Sequence, residues 1–65
     1  MQVYITPYPA DTCKPVSHSQ PVSAPTLEAA VGMFSGAPVV LRLKRMIVLD
    51  LGGGQRMAIT NYRVY

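Results

Sequence analysis

The sequence lacks a second cysteine: Cys13 is the single cysteine among its 65 residues. A lone cysteine excludes an intrachain disulfide and a metal site built from several thiolates. A chain this short forms only a marginal hydrophobic core, so it depends on close packing, on a partner or on self-association. The sequence therefore predicts one domain, residues 1–65, in a reducing compartment.

Long apolar runs are also lacking. No stretch reaches the roughly 20 apolar residues that a membrane span needs. The first ten residues, MQVYITPYPA, lack the basic start and the apolar core of a secretory signal, and Pro7 and Pro9 interrupt them. We therefore expect a cytoplasmic protein that has no membrane partner.

Residues suited to catalysis or metal binding are scarce. Asp11, Glu28 and Asp50 are the three acids, and their spacing does not predict the carboxylate pair that acid–base chemistry requires. Cys13 and His18 are the one pair of soft metal ligands, whereas a structural zinc site needs four ligands. The same two residues lack the rigid scaffold that a nucleophilic pair needs. The sequence predicts no enzymatic activity, no cofactor and no metal.

The apolar pattern after residue 38 indicates a long strand. In residues 39–51, VVLRLKRMIVLDL, the odd-numbered positions are all apolar except Arg45. The even-numbered positions are a mixture of apolar and charged residues, as in a strand with one buried face. Gly52-Gly53-Gly54 follows and leads into a second strand, which is typical of a hairpin turn rather than of a phosphate loop. We predict a hairpin of residues 39–51 and 55–65. A three-residue glycine loop pairs Leu49 with Met57 and Ile47 with Ile59, and a bulge is expected near Arg45.

The rest of the chain predicts one strand, one connection and one helix. Residues 1–6 alternate as a short strand, which Pro7 is expected to end. Residues 7–25 are rich in proline and small polar residues and predict a long irregular loop. Thr26 is a suitable helix N-cap, and the apolar residues that follow at helical spacing predict a helix over residues 27–35. The expected fold is a small α+β domain, β-α-β-β, with the helix packed on a mainly antiparallel sheet.

Five of the six basic residues lie between residues 42 and 63, alongside Asp50 alone. The predicted hairpin places several of them on the face opposite the helix, next to an aromatic side chain. That pattern suits an acidic protein surface, and it also resembles sheets that bind single-stranded nucleic acid. The candidate partner-binding residues are Arg42, Lys44, Arg45, Arg56, Tyr62 and Arg63.

The same strands leave an unpaired edge and a partly apolar outer face, which predicts docking on a partner. We expect a small binding protein that inhibits or adapts a larger protein or ribonucleoprotein complex. A phage or mobile-element protein that blocks a bacterial defence complex, such as a CRISPR effector, is one example, by analogy of size alone. Two alternatives stay open: a nucleic-acid-binding module that uses the basic face, and a self-assembling subunit or homodimer joined at the sheet edge.

Overall fold

A computed structural model describes residues 1–12, 14, 18–34 and 36–65 of the chain. Five strands form one antiparallel sheet in the order β2-β1-β5-β4-β3, and one short helix packs against it. The elements are β1 (Gln2–Pro9), β2 (Gln20–Ser23), α1 (Leu27–Gly32), β3 (Val39–Arg42), β4 (Met46–Gly52) and β5 (Gln55–Thr60). The predicted α+β class is confirmed, but the predicted β-α-β-β order lacks two of the strands. The described residues contain no helix that is long and apolar enough to cross a bilayer.

Strand β1 runs through the two prolines that were expected to end it at residue 6. It pairs with β5 as far as Pro9↔Gln55, and the Ala10 amide still donates to the Gly54 carbonyl at 2.8 Å. Alternate residues of an antiparallel strand point their amides to opposite sides. Pro7 and Pro9 are two residues apart, so both turn their proton-free nitrogens away from β5. The β2 strand pairs only as far as Ile5, so neither proline removes a bond from the sheet.

The prediction of one irregular loop over residues 7–25 was wrong. Its beginning belongs to β1, and its later part forms β2, which pairs with β1 from Gln2↔Ser23 to Ile5↔Gln20. Strand β2 has no alternating apolar pattern of its own, because only Val22 among its four residues turns a large apolar side chain to the sheet. Pairing with β1, rather than local sequence, makes this segment a strand.

The hairpin of β4 and β5 has the predicted register along most of its length. Leu49↔Met57 and Ile47↔Ile59 are paired as expected, and Asp50 lies opposite Arg56. The turn itself differs, because Gly52 pairs with Gln55 and the register shifts between Asp50 and Gly52. A two-residue turn, Gly53-Gly54, together with a bulge at Leu51, gives the same register as the predicted three-residue loop.

Residues 39–51 do not form one strand, which is the main correction to the predicted hairpin. The chain reverses at Lys44 and Arg45, so that β3 folds back antiparallel on β4 with Arg42↔Ile47 and Val39↔Leu49. The Leu43 amide donates to the Met46 carbonyl across the turn at 2.7 Å. Cross-strand pairs that were expected between β3 and the end of the chain are therefore not formed. Strand β5 ends at Thr60, and residues 61–65 leave the sheet.

Helix α1 begins where the sequence predicts and ends earlier. The Thr26 hydroxyl accepts the Ala29 amide at 3.0 Å, which is the expected N-cap bond. The helix ends at Gly32 rather than at residue 35, and Ser35 itself lies outside the described residues. Ala30 is fully buried on the sheet. The buried core on this helix face also contains Val3, Ala24, Ile47, Leu49 and Ile59.

The opposite side of the sheet, called the far face below, is covered in part by the C-terminal segment, residues 61–65. The Ser19 hydroxyl accepts the amides of Val64 and Tyr65 at 3.3 and 3.0 Å. It also lies 2.7 Å from the hydroxyl of Thr6, which β1 directs to the far face. Because two amides donate to Ser19, its own proton is directed to Thr6. This cluster holds the end of the chain against the sheet.

Candidate interaction surface

Strand β3 forms one edge of the sheet and exposes apolar side chains. Val40, Leu41 and Leu43 are 44%, 45% and 55% exposed, and they follow one another along the edge. Leu41 lies opposite Val48, which belongs to the far face, and Leu43 is two residues further along the same side. We call these three residues and the outer backbone of β3 the open edge. An exposed apolar strand at a sheet edge is a template for pairing with another chain.

The outer backbone of β3 is directed to solvent. Leu43 donates its amide to Met46 of the β3–β4 turn. Its neighbour Arg42 therefore points its amide and carbonyl the other way, since backbone groups alternate along an antiparallel strand. The strand order ends at β3, so none of the described strands lies on that side.

The other edge of the sheet, β2, is protected. The Ala24 amide donates to the Met1 carbonyl at 2.9 Å, so that Val22 and Gln20 also turn their backbone groups toward β1. Pro21 then faces outward, and it has no amide proton to offer another strand. A proline on the outside of an edge strand is a common protection against pairing. The two edges of this sheet therefore differ in what they can bind.

Two exposed cations lie directly beside the open edge. Lys44 and Arg45 form the turn between β3 and β4, which we call the basic turn. The Arg45 guanidinium donates from Nε to Asn61 Oδ1 at 3.1 Å, and its central carbon lies 4.8 Å from the centre of the Tyr62 ring. These contacts hold Arg45 in place and join the basic turn to the C-terminal segment.

Arg42, Arg63 and Arg56, the other predicted site residues, lie in different parts of the molecule and have different surroundings. Arg42 lies on the helix side, not on the predicted opposite face, and forms an ion pair with Glu28 of α1. It does so because β3 folds back and places Arg42 opposite Ile47. Arg63 lies over the Tyr4 ring at 5.3 Å, on the far face.

Arg56 is on the central strand opposite Asp50, and the two side chains form no ion pair among the described residues. The Asp50 carboxylate instead accepts the Gly52 amide at 2.9 Å. The Nε of Arg56 is buried and has no hydrogen-bond partner among the described residues. The structure thus brings Arg45 onto Tyr62, with Lys44 next to Arg45 in the turn. Arg42 and Arg63 instead contact Glu28 and Tyr4.

Sequence reasoning predicted an unpaired sheet edge but did not assign the residues that form the open edge. It placed Leu41 and Leu43 on the buried face, because their positions match those of Ile47 and Leu49 in the alternation. The signal that could have found them is the charged sequence Lys44-Arg45, which interrupts the apolar positions at Arg45. This turn contains neither glycine, proline nor asparagine, so the usual turn signals are missing.

His18, Cys13 and the acidic residues were the candidates for metal binding or catalysis in the sequence. Within them, no three histidine, aspartate or glutamate side chains meet as metal ligands. His18 stacks on the Tyr65 ring with 5.3 Å between the ring centres. Cys13, its predicted companion, lies outside the described residues. A shallow concavity beside the Gly53-Gly54 turn is lined by Asp11 and Thr12 among others, and it has no cation in its lining.

No protein-family model, no curated protein and no solved structure matches this chain. Fold alone would not define an activity in any case, since one architecture supports many functions. The function therefore has to be inferred from the chemistry of the open edge and the basic turn.

Proposed function

We propose that this protein is a small non-catalytic binding protein, an inhibitor or adaptor of a larger macromolecular machine, which docks through the open edge and the basic turn. One observation carries the proposal: Val40 and Leu41 are exposed on the unprotected strand β3, Leu43 is exposed just beyond its end, and Lys44-Arg45 follow at once. Contiguous apolar side chains bordered by charge are typical of protein-binding surfaces.

The arrangement of the aromatic residues favours a protein partner over nucleic acid. Sheets that bind single strands present aromatic rings on which bases stack. Here the rings of Tyr62 and Tyr4 each have an arginine over one face, Arg45 and Arg63 respectively. The cations themselves are divided between two faces of the sheet and one turn. An acidic protein surface needs neither a free ring nor a continuous line of cations.

A chain of this size acts by occupying a surface. The open edge is short, since β3 has four residues, and it suits one segment of a partner rather than a broad interface. When the protein covers such a segment on a larger complex, other molecules can no longer bind that segment. A non-catalytic inhibitor acts in this way. We assign the protein to the cytoplasm, where Cys13 would stay reduced. A phage or mobile-element protein that blocks a bacterial defence complex would act in this way.

Site-specific crosslinking tests the proposal. A photoreactive amino acid replaces Leu43 in one variant and Leu51 in the control, because both leucines are exposed and Leu51 lies at the glycine turn, away from the basic turn. In lysate of the source cell, the Leu43 variant is expected to capture a protein, with or without nuclease treatment. The Leu51 variant is not.

Adding Lys44→Glu to the Leu43 variant should weaken the captured band. Equal capture from both positions would contradict docking at the open edge. Capture that disappears with nuclease would favour the nucleic-acid alternative.

A further inference from the structure

We infer that β3 binds an extended segment of the partner protein as a sixth strand, and that this segment alternates apolar with acidic residues. The inference rests on the proposed function and specifies both the geometry of binding and the chemistry of the partner. Strand addition uses main-chain bonds for affinity and alternate side chains for specificity.

The backbone of β3 supplies the first part of the argument. Arg42 directs its amide and carbonyl away from β4, and β3 is the last strand in the order. The register shift between Val39 and Leu41 disturbs the strand at one end only, so the end nearer the basic turn stays regular. An incoming strand is therefore expected to bond to Arg42.

The side chains of the open edge supply the second part. Leu41 and Leu43 lie on the same side of β3, next to Val48, which is buried on β4. A neighbouring strand that places two apolar residues on this side covers both leucines and extends the apolar surface around Val48. Cross-strand apolar pairs of this kind stabilise a sheet.

Charge supplies the third part. Lys44 and Arg45 are exposed at the end of β3, and Lys44 forms no ion pair with any described residue. The whole chain has a net charge of +3. A partner segment with carboxylates near the basic turn gains favourable pairing there, whereas a basic segment is repelled.

A second copy of this chain fits the open edge less well. Antiparallel pairing of two β3 strands so that Leu41 of each lies opposite Leu43 of the other places the two Arg42 residues opposite each other. Like charges in directly opposed positions destabilise a sheet, and the ion pair of each Arg42 with its own Glu28 offsets that repulsion only in part. The two basic turns would also lie at the same small interface, with no acidic residue of either β3 to offset them. An acidic partner strand removes both penalties.

Two synthetic peptides test the inference on the intact protein. Both have about eight residues, a usual strand length. One alternates valine with glutamate and the other alternates valine with lysine. We expect saturable binding of the glutamate peptide alone, together with slowed hydrogen exchange of the Arg42 amide. No saturable binding up to about 1 mM, or equal binding of both peptides, would overturn the inference.

Two substitutions at Arg42 distinguish the contribution of its main-chain amide to peptide binding from that of its side chain. Arg42→Pro removes the outward amide, and Arg42→Ala removes the same side chain and the same ion pair but keeps the amide. We expect Arg42→Pro to abolish peptide binding and Arg42→Ala to retain it. Circular dichroism is expected to show both variants folded, since proline is tolerated on the outer side of an edge strand. Equal binding by the two folded variants would rule out strand addition.

Charge reversals test the role of the basic turn. Lys44→Glu is expected to weaken the glutamate peptide roughly fivefold, as befits an exposed ion pair. Lys14→Glu is the matched control, because it makes the same change in net charge in the connection between β1 and β2. Equal effects of the two reversals would contradict an acidic segment positioned at the turn.

The remaining outcomes distinguish this inference from the function on which it rests. If Leu43 crosslinks to a protein in lysate but peptide binding never protects the Arg42 amide, the binding function stands and strand addition fails. If sedimentation shows a dimer that Leu43→Ser dissociates, the second copy is the occupant. If a single-stranded oligonucleotide binds and displaces the glutamate peptide, the partner is nucleic acid. The last two results overturn the inference.

Discussion

At the scale of single residues, Ser19 joins three parts of the chain. Its hydroxyl contacts Thr6 of β1 and accepts two amides from the C-terminal segment, and its amide donates to the Tyr65 carbonyl at 2.8 Å. Ser19 and Thr6 are both buried. A buried hydroxyl with all of its bonds made is costly to remove, because its former partners keep their desolvation cost.

Replacing Ser19 by alanine is expected to lower the free energy of unfolding by about 1–3 kcal/mol, since Thr6 and two amides lose their partner. Urea denaturation measures the change. Ser23→Ala is the matched control, because Ser23 is exposed on β2, and it should stay within about 0.5 kcal/mol of the parent. A Ser19 variant as stable as the Ser23 variant would show that the C-terminal segment is held by other contacts.

Leu49 and Leu51 have the same parity in the sequence and different surroundings in the structure. Leu49 is fully buried, whereas Leu51 occupies the bulge before the glycine turn and is 43% exposed. Leu49→Ala is expected to cost about 2–5 kcal/mol, a large part of the stability of so small a domain. Leu51→Ala should cost about 0.5 kcal/mol or less. Thermal unfolding of the two variants compares them directly, and similar midpoints would contradict the assigned bulge.

At the scale of elements, the sequence predicted the helix and the strands whose signals lie in their own residues. It missed the strand that forms only because it pairs with a distant part of the chain. Thr26 and the apolar positions after it defined the start of α1, and alternation defined the register of β4 and β5. Strand β2 was missed because its pairing with β1 is not visible in its own four residues. The turn at Lys44-Arg45 was missed for a related reason: β3 and β4 are both apolar and alternating, so that they look continuous.

The candidate site followed the same rule. The predicted hairpin paired Lys44 with Tyr62, whereas in the structure Arg45 lies over the Tyr62 ring and bonds to Asn61. Arg42 was misplaced because the reversal at the basic turn changes which side of the sheet it faces. Residues on either side of such a reversal keep their spacing in the sequence but have other cross-strand partners, so spacing alone could not assign them to a face.

The glycine turn between β4 and β5 has strict backbone requirements. Gly53 and Gly54 have φ values of +62° and +79°, as in a type I′ turn, where both central residues are left-handed. Nothing lies near the position of an added Cβ at Gly53, so the cost of substitution comes from the backbone. Gly53→Asn should leave the free energy of unfolding nearly unchanged, and Gly53→Val should lower it by about 1–2 kcal/mol. Chemical denaturation of the pair tests the turn type, and equal stability of the two variants would contradict it.

At the scale of the whole molecule, protection should decrease from the middle of the sheet outward. Strand β5 lies third of five in the order, between β1 and β4, and packs under α1. Strands at the two ends have one neighbour each. Local opening requires the least free energy where backbone bonds are few and exposed.

Native-state hydrogen exchange is therefore expected to be slowest for amides of β5, such as that of Ile59, and fastest for the outward amides of Arg42 and Ser23. Exchange is measured residue by residue by NMR on the isolated protein. If Arg42 is as protected as Ile59, the open edge is already occupied in the free protein.

Pro21 has a consequence for stoichiometry. A fibre of stacked sheets requires two adhesive edges in every copy, since each copy has to hold one neighbour on either side. This sheet offers an outward amide at Arg42 on one edge, whereas on the other edge Pro21 has no amide proton and only Ser23 directs an amide outward. Growth beyond a single addition is therefore disfavoured. If the open edge binds a partner strand as proposed, a high concentration of the protein is expected to saturate that partner one to one and not to seed a filament.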